Sequence, residues 1–153
     1  TTMINSRDIK DLSPEAQIVC NRHIELCAAA GVKIIVISTY RDYAEQARLY
    51  EVGRTTGKIG KQYWVTKAKA GESWHNFRCA WDVVVIKDDK AYWKTESPEW
   101  KIVIEKGIEA GAEAGAKWTG DFVDPDHFQV KPSGITMQIA KERFDAQGTI
   151  FTV

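Results

Sequence analysis

The segment Ala80–Lys87, with the sequence AWDVVVIK, constrains the fold of this 153-residue chain more than any other. Its β-branched and aromatic residues are typical of a strand buried inside a sheet. Asp82 breaks that pattern, because it shares one face of the strand with Ala80 and Val84. A carboxylate in an apolar strand is costly unless something compensates its charge. A bound cation would do so, and the strand therefore predicts a core sheet that carries a candidate metal ligand.

Helix-start signals divide the rest of the chain into helices and short strands. Ser13-Pro14-Glu15 and Ser97-Pro98-Glu99 each combine an N-cap hydroxyl with a proline in the first turn, and residues 42–45 resemble a capping box. The predicted helices begin at these signals and end near Gly31, near Val52 and beyond Gly111, and a last one covers about 135–147. Strands are predicted at 33–38, 80–87, 91–94 and 127–130. We therefore predict one α+β domain over residues 1–153, with helices packed on a small, mostly antiparallel sheet.

The helix after Ser97 is predicted to pack closely on this sheet. Trp100, Ile104 and Ile108, followed by Gly111 and Gly115, recur at helical spacing and are expected to form its buried face. Its glycine and alanine content favours a close approach to the strands.

Composition and charge exclude several classes of partner. The chain has 21 basic and 21 acidic residues, so its net charge of zero gives no reason to expect a nucleic acid. No apolar run approaches the ~20 residues that a membrane span needs. Residues 1–17 are polar and lack the apolar core of a signal peptide, so we expect synthesis in the cytoplasm. We also expect a monomer.

The three cysteines are expected to be reduced. Cys20 and Cys27 lie on the same predicted helix, where seven residues separate them by about 10 Å. That separation exceeds the ~7 Å Cα limit for a disulfide. Cys79 has no obvious partner and falls on the strand face opposite to that of Asp82.

Two of the three histidines have an acid at a useful distance. His23 lies on the apolar face of the first helix and is expected to be a core residue. His75 precedes Asp82 by seven residues, and His127 lies on another predicted strand. Two imidazoles and one carboxylate, with a fourth position open, are the ligand set of a catalytic zinc site. Spacing alone leaves the metal site and a purely structural role equally open.

Asp124 is the candidate general base. It precedes His127 by three residues, with Pro125 in the turn between them. A carboxylate beside a metal can take a proton from the attacking water. The alternative is that Asp124 and Asp126 are turn residues, a common role for aspartate.

The motifs, taken in order, resemble those of the L-alanyl-D-glutamate peptidases. These are zinc peptidases related to the D-Ala-D-Ala carboxypeptidases, and many are phage endolysins. The resemblance covers about residues 12–129 and rests on the segments Ser38-Thr39-Tyr40-Arg41, Glu45-Gln46, Leu49-Tyr50, Gly53-Arg54-Thr55, 65–68, 71–77, 80–83 and 124–129. It departs from the family at Arg78, where a glycine would permit positive φ, and at residues 117–121, where KWTGD replaces EWGGD.

The resemblance implies a fold, a cofactor and a set of functional residues. The fold is the α+β architecture of the Hedgehog signalling domain and the D-Ala-D-Ala peptidases. One Zn²⁺ per chain is implied, held by His75, Asp82 and His127, with Asp124 as general base. Arg41 is expected to face the scissile carbonyl. Two further residues, Ser73 and Gln46, are expected to position substrate.

The implied activity is hydrolysis of the L-Ala–D-Glu bond in the peptidoglycan stem peptide. Such an endolysin would accumulate in the cytoplasm and lyse the bacterial cell wall after release. Two alternatives remain open: a D-Ala-D-Ala carboxypeptidase or dipeptidase with the same metal site, and a zinc-stabilised binding module without catalysis. The basic segment 54–72 is predicted either to attract substrate carboxylates, through Arg54 and Lys67 among others, or to be a solvated surface loop.

Overall fold

A computed structural model describes residues 3–119 and 123–151 of the chain. The helices are α1 (Pro14–Ala29), α2 (Tyr43–Glu51), α3 (Pro98–Ala110) and α4 (Met137–Gln147). The strands are β1 (Lys33–Ser38), β2 (Ala80–Lys87), β3 (Lys90–Tyr92), β4 (Glu113–Ala114) and β5 (His127–Gln129). Short 3-10 helices occupy Ile9–Asp11, Lys61–Tyr63, Trp74–Phe77 and Gly115–Lys117.

The five strands form one sheet with β2 at its centre. Its order is β1-β2-β5-β4, β3 pairs with the far end of β2, and every pair is antiparallel. The α+β fold class with a small antiparallel sheet is therefore confirmed. The strand β4 was not predicted, because two residues carry no readable periodicity.

Both faces of β2 are covered. Helices α1 and α3 pack on one face, where the core contains Cys20, Cys27, Trp81, Val83, Val85, Trp100, Val103 and Phe128. The opposite face carries a second cluster near Ala80, built from the 3-10 helix Trp74–Phe77 and from α4. Coverage of both faces explains why β2 is apolar at successive positions.

Close packing of α3 is confirmed, and its predicted buried face is right at Trp100 and in part at Ile104 but wrong at Ile108. The buried residues are Trp100, Val103, Gly107 and Ala110, whereas Ile108 is 45% exposed. A Cβ at position 107 would lie 2.5 Å from a ring carbon of Phe128 on β5. The missing side chain lets α3 lie against β5 along the Gly107 face, and Ile108 is thereby turned toward solvent.

The remaining core predictions are confirmed. All three cysteines are free and buried, and burial raises the pKa of Cys20 and Cys79 to about 12. His23 is fully buried, with Nε2 2.8 Å from the carbonyl of Val103 and Nδ1 accepting from the Trp81 indole at 3.2 Å. Burial lowers the pKa of His23 to about 4, so this histidine is a neutral core residue.

No helix in the described ranges has both the length and the apolar character needed to cross a bilayer.

Arg78 takes the left-handed conformation that a glycine would adopt without strain. Its φ is 66° and it ends the 3-10 helix Trp74–Phe77. The guanidinium donates to the carbonyl of Asp11 at 2.9 Å and lies 3.9 Å above the ring of Tyr40. These contacts offset the cost of the backbone conformation, so the turn keeps its shape despite the departure from the family pattern.

Substitutions at Arg78 should separate backbone strain from side-chain contacts. We expect Arg78→Ala to lower the free energy of unfolding by about 1–2 kcal/mol, because it loses a hydrogen bond and a cation–π contact while the strain stays. Arg78→Gly should be more stable than Arg78→Ala by about 0.5–1 kcal/mol, because glycine adopts positive φ freely. Equilibrium urea unfolding measures both values. Equal stability of the two variants would show that the left-handed conformation carries no cost.

Candidate metal centre

His75, Asp82 and His127 converge from three separate segments. His75 lies on the 3-10 helix Trp74–Phe77, Asp82 is the third residue of β2, and His127 begins β5 directly opposite Asp82 in the strand register. One carboxylate oxygen of Asp82, Oδ1, lies 3.1 Å from Nε2 of His75 and 3.3 Å from Nδ1 of His127. Both imidazoles are buried, and Asp82 is 17% exposed at the edge of a cavity.

The 3-10 helix Trp74–Phe77 is fixed by an N-terminal cap and by the side chain of Asn76. The Ser73 hydroxyl accepts from the backbone N–H of His75 at 3.3 Å. The fully buried side chain of Asn76 accepts from the N–H groups of Gly71 and Ser73, and it donates to the carbonyl of Arg41 at 2.8 Å. These bonds tie the helix to the segment that carries Arg41, so His75 is held in a defined position.

Each histidine has a hydrogen-bond partner on the ring nitrogen that faces away from Asp82. Nδ1 of His75 donates to the carbonyl of Thr39 at 2.8 Å. Nε2 of His127 lies 2.7 Å from the side-chain carbonyl of Gln129, which accepts from it. Partners of this kind orient metal-ligating histidines and leave the second ring nitrogen free for the metal.

The electrostatics of the cluster favour an ionised Asp82. Burial alone would raise the pKa of Asp82, but the two adjacent imidazoles outweigh it and hold that pKa well below its usual range. Burial lowers the pKa of His75. Burial also disfavours the charged form of His127, yet the hydrogen bond to Asp82 outweighs it and raises the pKa of His127. A divalent cation would take over this compensating role.

The donor set fits zinc in chemistry and spacing. The three ligand atoms lie within 4.8 Å of one another, and they form the single such group of histidine, cysteine, aspartate and glutamate in the described part of the chain. In a tetrahedral zinc site with bonds near 2.0–2.1 Å, ligand atoms lie about 3.3 Å apart. The distances of 3.1 and 3.3 Å around Asp82 agree with that geometry.

Arg41 lies beside the cluster with one nitrogen unpaired. Its Nη2 is 3.7 Å from Oδ2 of Asp82 and donates to the Ser38 hydroxyl, and Nη1 donates to Gln46 at 3.0 Å. Among the described residues, Nε of Arg41 is the one buried side-chain nitrogen or oxygen without a hydrogen-bond partner. Burial lowers the pKa of Arg41. The Arg41 side chain lines the cavity and is 11% exposed, so a largely buried cation in this position is suited to an anionic or carbonyl oxygen.

Gln46 is fully buried, and its amide is occupied by the protein. Besides accepting from Arg41, it donates to the carbonyl of Ala68 at 2.7 Å and to the Thr66 hydroxyl at 3.4 Å. Ser73 lies at the wall of the cavity and caps the 3-10 helix. Gln46 is thus placed to orient Arg41 and the segment 65–68, whereas Ser73 is placed to meet a ligand.

Asp124 and Asp126 line the same cavity as the three candidate ligands. Burial raises the pKa of Asp126 to about 9, and a side-chain hydrogen bond with Asp124 adds to the effect. The raised pKa favours the protonated form of Asp126, which can donate to Asp124. Gly115 lies close beneath this turn, where a Cβ would collide with the carbonyl oxygen of Asp124. An Asp-Pro-Asp motif carries no sign of burial, so the sequence alone predicts no more than a turn residue at Asp126.

The cavity has a volume of about 700 Å³ and is open to solvent. The segment 65–68 forms part of its wall, and Trp118 packs against the His127 ring with centroids 4.9 Å apart. Trp118 belongs to the divergent segment 117–121, of which 120 and 121 lie outside the described residues.

The basic segment 54–72 divides into two parts. Arg54 is sandwiched between Tyr50 and Trp64 at 3.7 and 3.9 Å from the ring centroids, and it donates to the carbonyl of Thr66 at 3.1 Å. This guanidinium holds the loop together, and the cavity lining includes Lys67 but not Arg54. Both alternatives for the segment remain predictions, and Lys67 is the residue placed to attract a substrate carboxylate.

Comparisons with known proteins identify the family of the chain. Residues 10–109 match the family model VanY, D-alanyl-D-alanine carboxypeptidase. The chain is 32% identical over 115 residues to the peptidoglycan L-alanyl-D-glutamate endopeptidase CwlK of Bacillus subtilis (strain 168). That alignment covers 69% of this chain and 65% of CwlK, so the chain spans just under two thirds of that relative.

Solved structures share the fold at lower identity. The L-Ala D-Glu endopeptidase ChiX of Serratia marcescens is 19% identical with a TM-score of 0.57, over 84% of this chain and 89% of ChiX. A vancomycin-resistance D,D-pentapeptidase VanY in complex with Zn(II) is 19% identical with a TM-score of 0.59, over 90% of this chain and 80% of that one. Together with the converged His-Asp-His cluster, the family match shows that the chain belongs to the VanY D-alanyl-D-alanine carboxypeptidase family.

Proposed function

We propose that this protein is a zinc-dependent endopeptidase that hydrolyses the L-Ala–D-Glu bond of the peptidoglycan stem peptide. The observation that carries the proposal is the placement of the His75-Asp82-His127 cluster, Arg41 and Asp124 on one open cavity. CwlK and ChiX, which carry this activity in their names, support the choice of bond.

One zinc ion per chain, held by His75, Asp82 and His127, would supply a Lewis acid that polarises a carbonyl and activates water. Asp124 accepts the proton of the attacking water and delivers it to the leaving amine. Arg41 stabilises the negative charge that develops on the carbonyl oxygen, through its guanidinium group at the cavity wall.

Neighbouring side chains hold these groups in place. The neutral carboxyl group of Asp126 donates to Asp124 and fixes its orientation. Gln46 orients the guanidinium of Arg41, and Ser73 contacts the bound peptide at the cavity wall. A constellation that is positioned before substrate arrives needs little reorganisation during the reaction.

The biological role that fits this activity is cell-wall lysis by a phage endolysin. The protein would be made in the cytoplasm and reach peptidoglycan after release, acting as a monomer of one domain. The carboxylates of the stem peptide would meet Lys67 on the cavity wall. The phage role rests on the motif resemblance alone, whereas the endopeptidase relatives support only the proposed activity.

A D-Ala-D-Ala carboxypeptidase with the same site is the second candidate. The matching family model bears that description, and a structure of VanYB in complex with D-alanine-D-alanine has the same fold, with a TM-score of 0.60. The metal cluster and its neighbours serve either reaction, because both hydrolyse a peptide bond. The products of the two reactions differ.

Mass spectrometry of muropeptides digested with the purified protein should identify the bond. We expect disaccharides that retain only L-Ala, together with free peptides that begin with D-Glu. Chelation should abolish both products and added zinc should restore them, because the ion supplies the Lewis acid. Release of free D-alanine instead would assign the carboxypeptidase activity. Intact muropeptides in the presence of zinc would contradict a peptidase and favour a binding module.

Asp124→Asn should separate proton transfer from metal binding. The amide keeps the shape of the side chain but cannot accept the proton, so we expect turnover to fall by about 10²–10⁴-fold. Zinc content, measured by elemental analysis, should remain that of the unmodified protein. Asp88→Asn is the matched control, because Asp88 lies in the β2–β3 turn and takes a left-handed conformation that asparagine also tolerates. Full activity of Asp124→Asn would remove Asp124 from the mechanism.

A further inference from the structure

We propose that Gln129, oriented by Glu113, is a positioning residue that fixes which nitrogen of His127 carries the proton. It thereby keeps Nδ1 of His127 available to the metal. This inference rests on the zinc site proposed above. It concerns two residues that sequence reasoning did not single out.

The three side chains form a chain of hydrogen bonds that leads outward from the metal centre. His127 and Gln129 are two residues apart on β5 and so point to the same face of the sheet. Gln129 pairs directly with Glu113 across β4 and β5. Nε2 of His127 lies 2.7 Å from Oε1 of Gln129, and Nε2 of Gln129 donates to Oε2 of Glu113 at 3.0 Å.

The Glu113 carboxylate determines, through Gln129, which ring nitrogen of His127 carries the proton. The Glu113 carboxylate only accepts hydrogen bonds, so it faces the NH₂ group of the Gln129 amide. The amide oxygen then points to His127 and requires a proton on Nε2 of that ring. In the neutral imidazole only one nitrogen carries a proton, so Nδ1 keeps its lone pair and can bind a metal.

The reverse orientation of the amide would block the site. An NH₂ group facing His127 would need a lone pair on Nε2 and would place the proton on Nδ1. The Asp82 carboxylate, 3.3 Å from Nδ1, favours that arrangement because it can accept a hydrogen bond from a protonated Nδ1. Gln129 and Glu113 therefore act against the preference that Asp82 imposes on His127.

A backbone carbonyl fixes the protonation of His75 in the same way. Nδ1 of this histidine donates to the backbone carbonyl of Thr39 at 2.8 Å, and a carbonyl can only accept. His127 has the side-chain amide of Gln129 in that role, and rotation of this amide by about 180° would exchange its oxygen and its NH₂ group. Gln129 is buried with 4% exposure, whereas Glu113 is exposed on the rim of the cavity. Glu113 therefore holds the buried amide of Gln129 in one orientation.

The experiment compares zinc affinity among variants of Gln129 by competition with a chromophoric chelator. Gln129→Met keeps the length of the side chain but removes the acceptor, and we expect zinc affinity to fall by about 10–100-fold. Gln129→Glu restores an acceptor toward His127 and should recover most of the affinity. Gln138→Met, which breaks an exposed pair with Glu142 on α4, is the matched control and should bind zinc like the unmodified protein.

Glu113→Gln provides a test that leaves Gln129 and His127 intact. The new amide can both donate and accept, so it no longer dictates the orientation of Gln129, and zinc affinity should fall by less than in Gln129→Met. Nitrogen NMR of the zinc-loaded unmodified protein should show the proton of the His127 ring on Nε2. Thermal unfolding of the metal-free variants checks that each one folds. If Gln129→Met does not fold, the zinc affinity of Glu113→Gln alone tests the proposal.

The outcomes distinguish this inference from the proposed function. Normal zinc affinity in Gln129→Met would overturn the positioning role while leaving the zinc site in place. Equal losses in Gln129→Met and Gln129→Glu would also overturn it, because the acceptor would then be irrelevant. Failure of the unmodified protein to bind zinc would overturn the proposed function itself.

Discussion

The pairing of Asp82 with His127 across β2 and β5 is the interaction on which the rest of the structure depends. It places one carboxylate oxygen within 3.3 Å of two imidazole nitrogens that are far apart in sequence. An ionised carboxylate in a strand that is covered on both faces is stable only with such compensation. The sheet, its helices and the 3-10 helix Trp74–Phe77 together keep these donors at the wall of an open cavity.

Around that pairing, several imidazole and amide groups could either donate or accept hydrogen bonds. Each is oriented by a neighbour that can only accept, such as a carbonyl or carboxylate, or only donate, such as a guanidinium. A backbone carbonyl sets the protonation of His75, and the Glu113 carboxylate sets that of His127 through an amide. Gln46 divides its own amide between Arg41 and the segment 65–68. The consequence is a site whose polar groups already have their orientation, with the guanidinium of Arg41 held beside Asp82 at the cavity wall.

Much of this could be predicted from sequence, because the signals were local. An aspartate inside an apolar strand and a histidine seven residues before it point to a ligand pair, and the helix-start motifs gave three of the four helices. The buried face of α3 was misassigned at Ile108 because the close contact of Gly107 with Phe128 depends on a strand twenty-one residues later. Asp126, Gln129 and Glu113 could not be assigned roles, since burial and cross-strand pairing appear only in three dimensions.

Zinc analysis of the purified protein and of Asp82→Ala tests the central claim most directly. Asp82 supplies the oxygen nearest to both histidines, so its removal should dismantle the site. After dialysis against a metal-free buffer, we expect one zinc ion per chain in the unmodified protein and none in Asp82→Ala. Retention of a full equivalent of zinc by Asp82→Ala would contradict the claim.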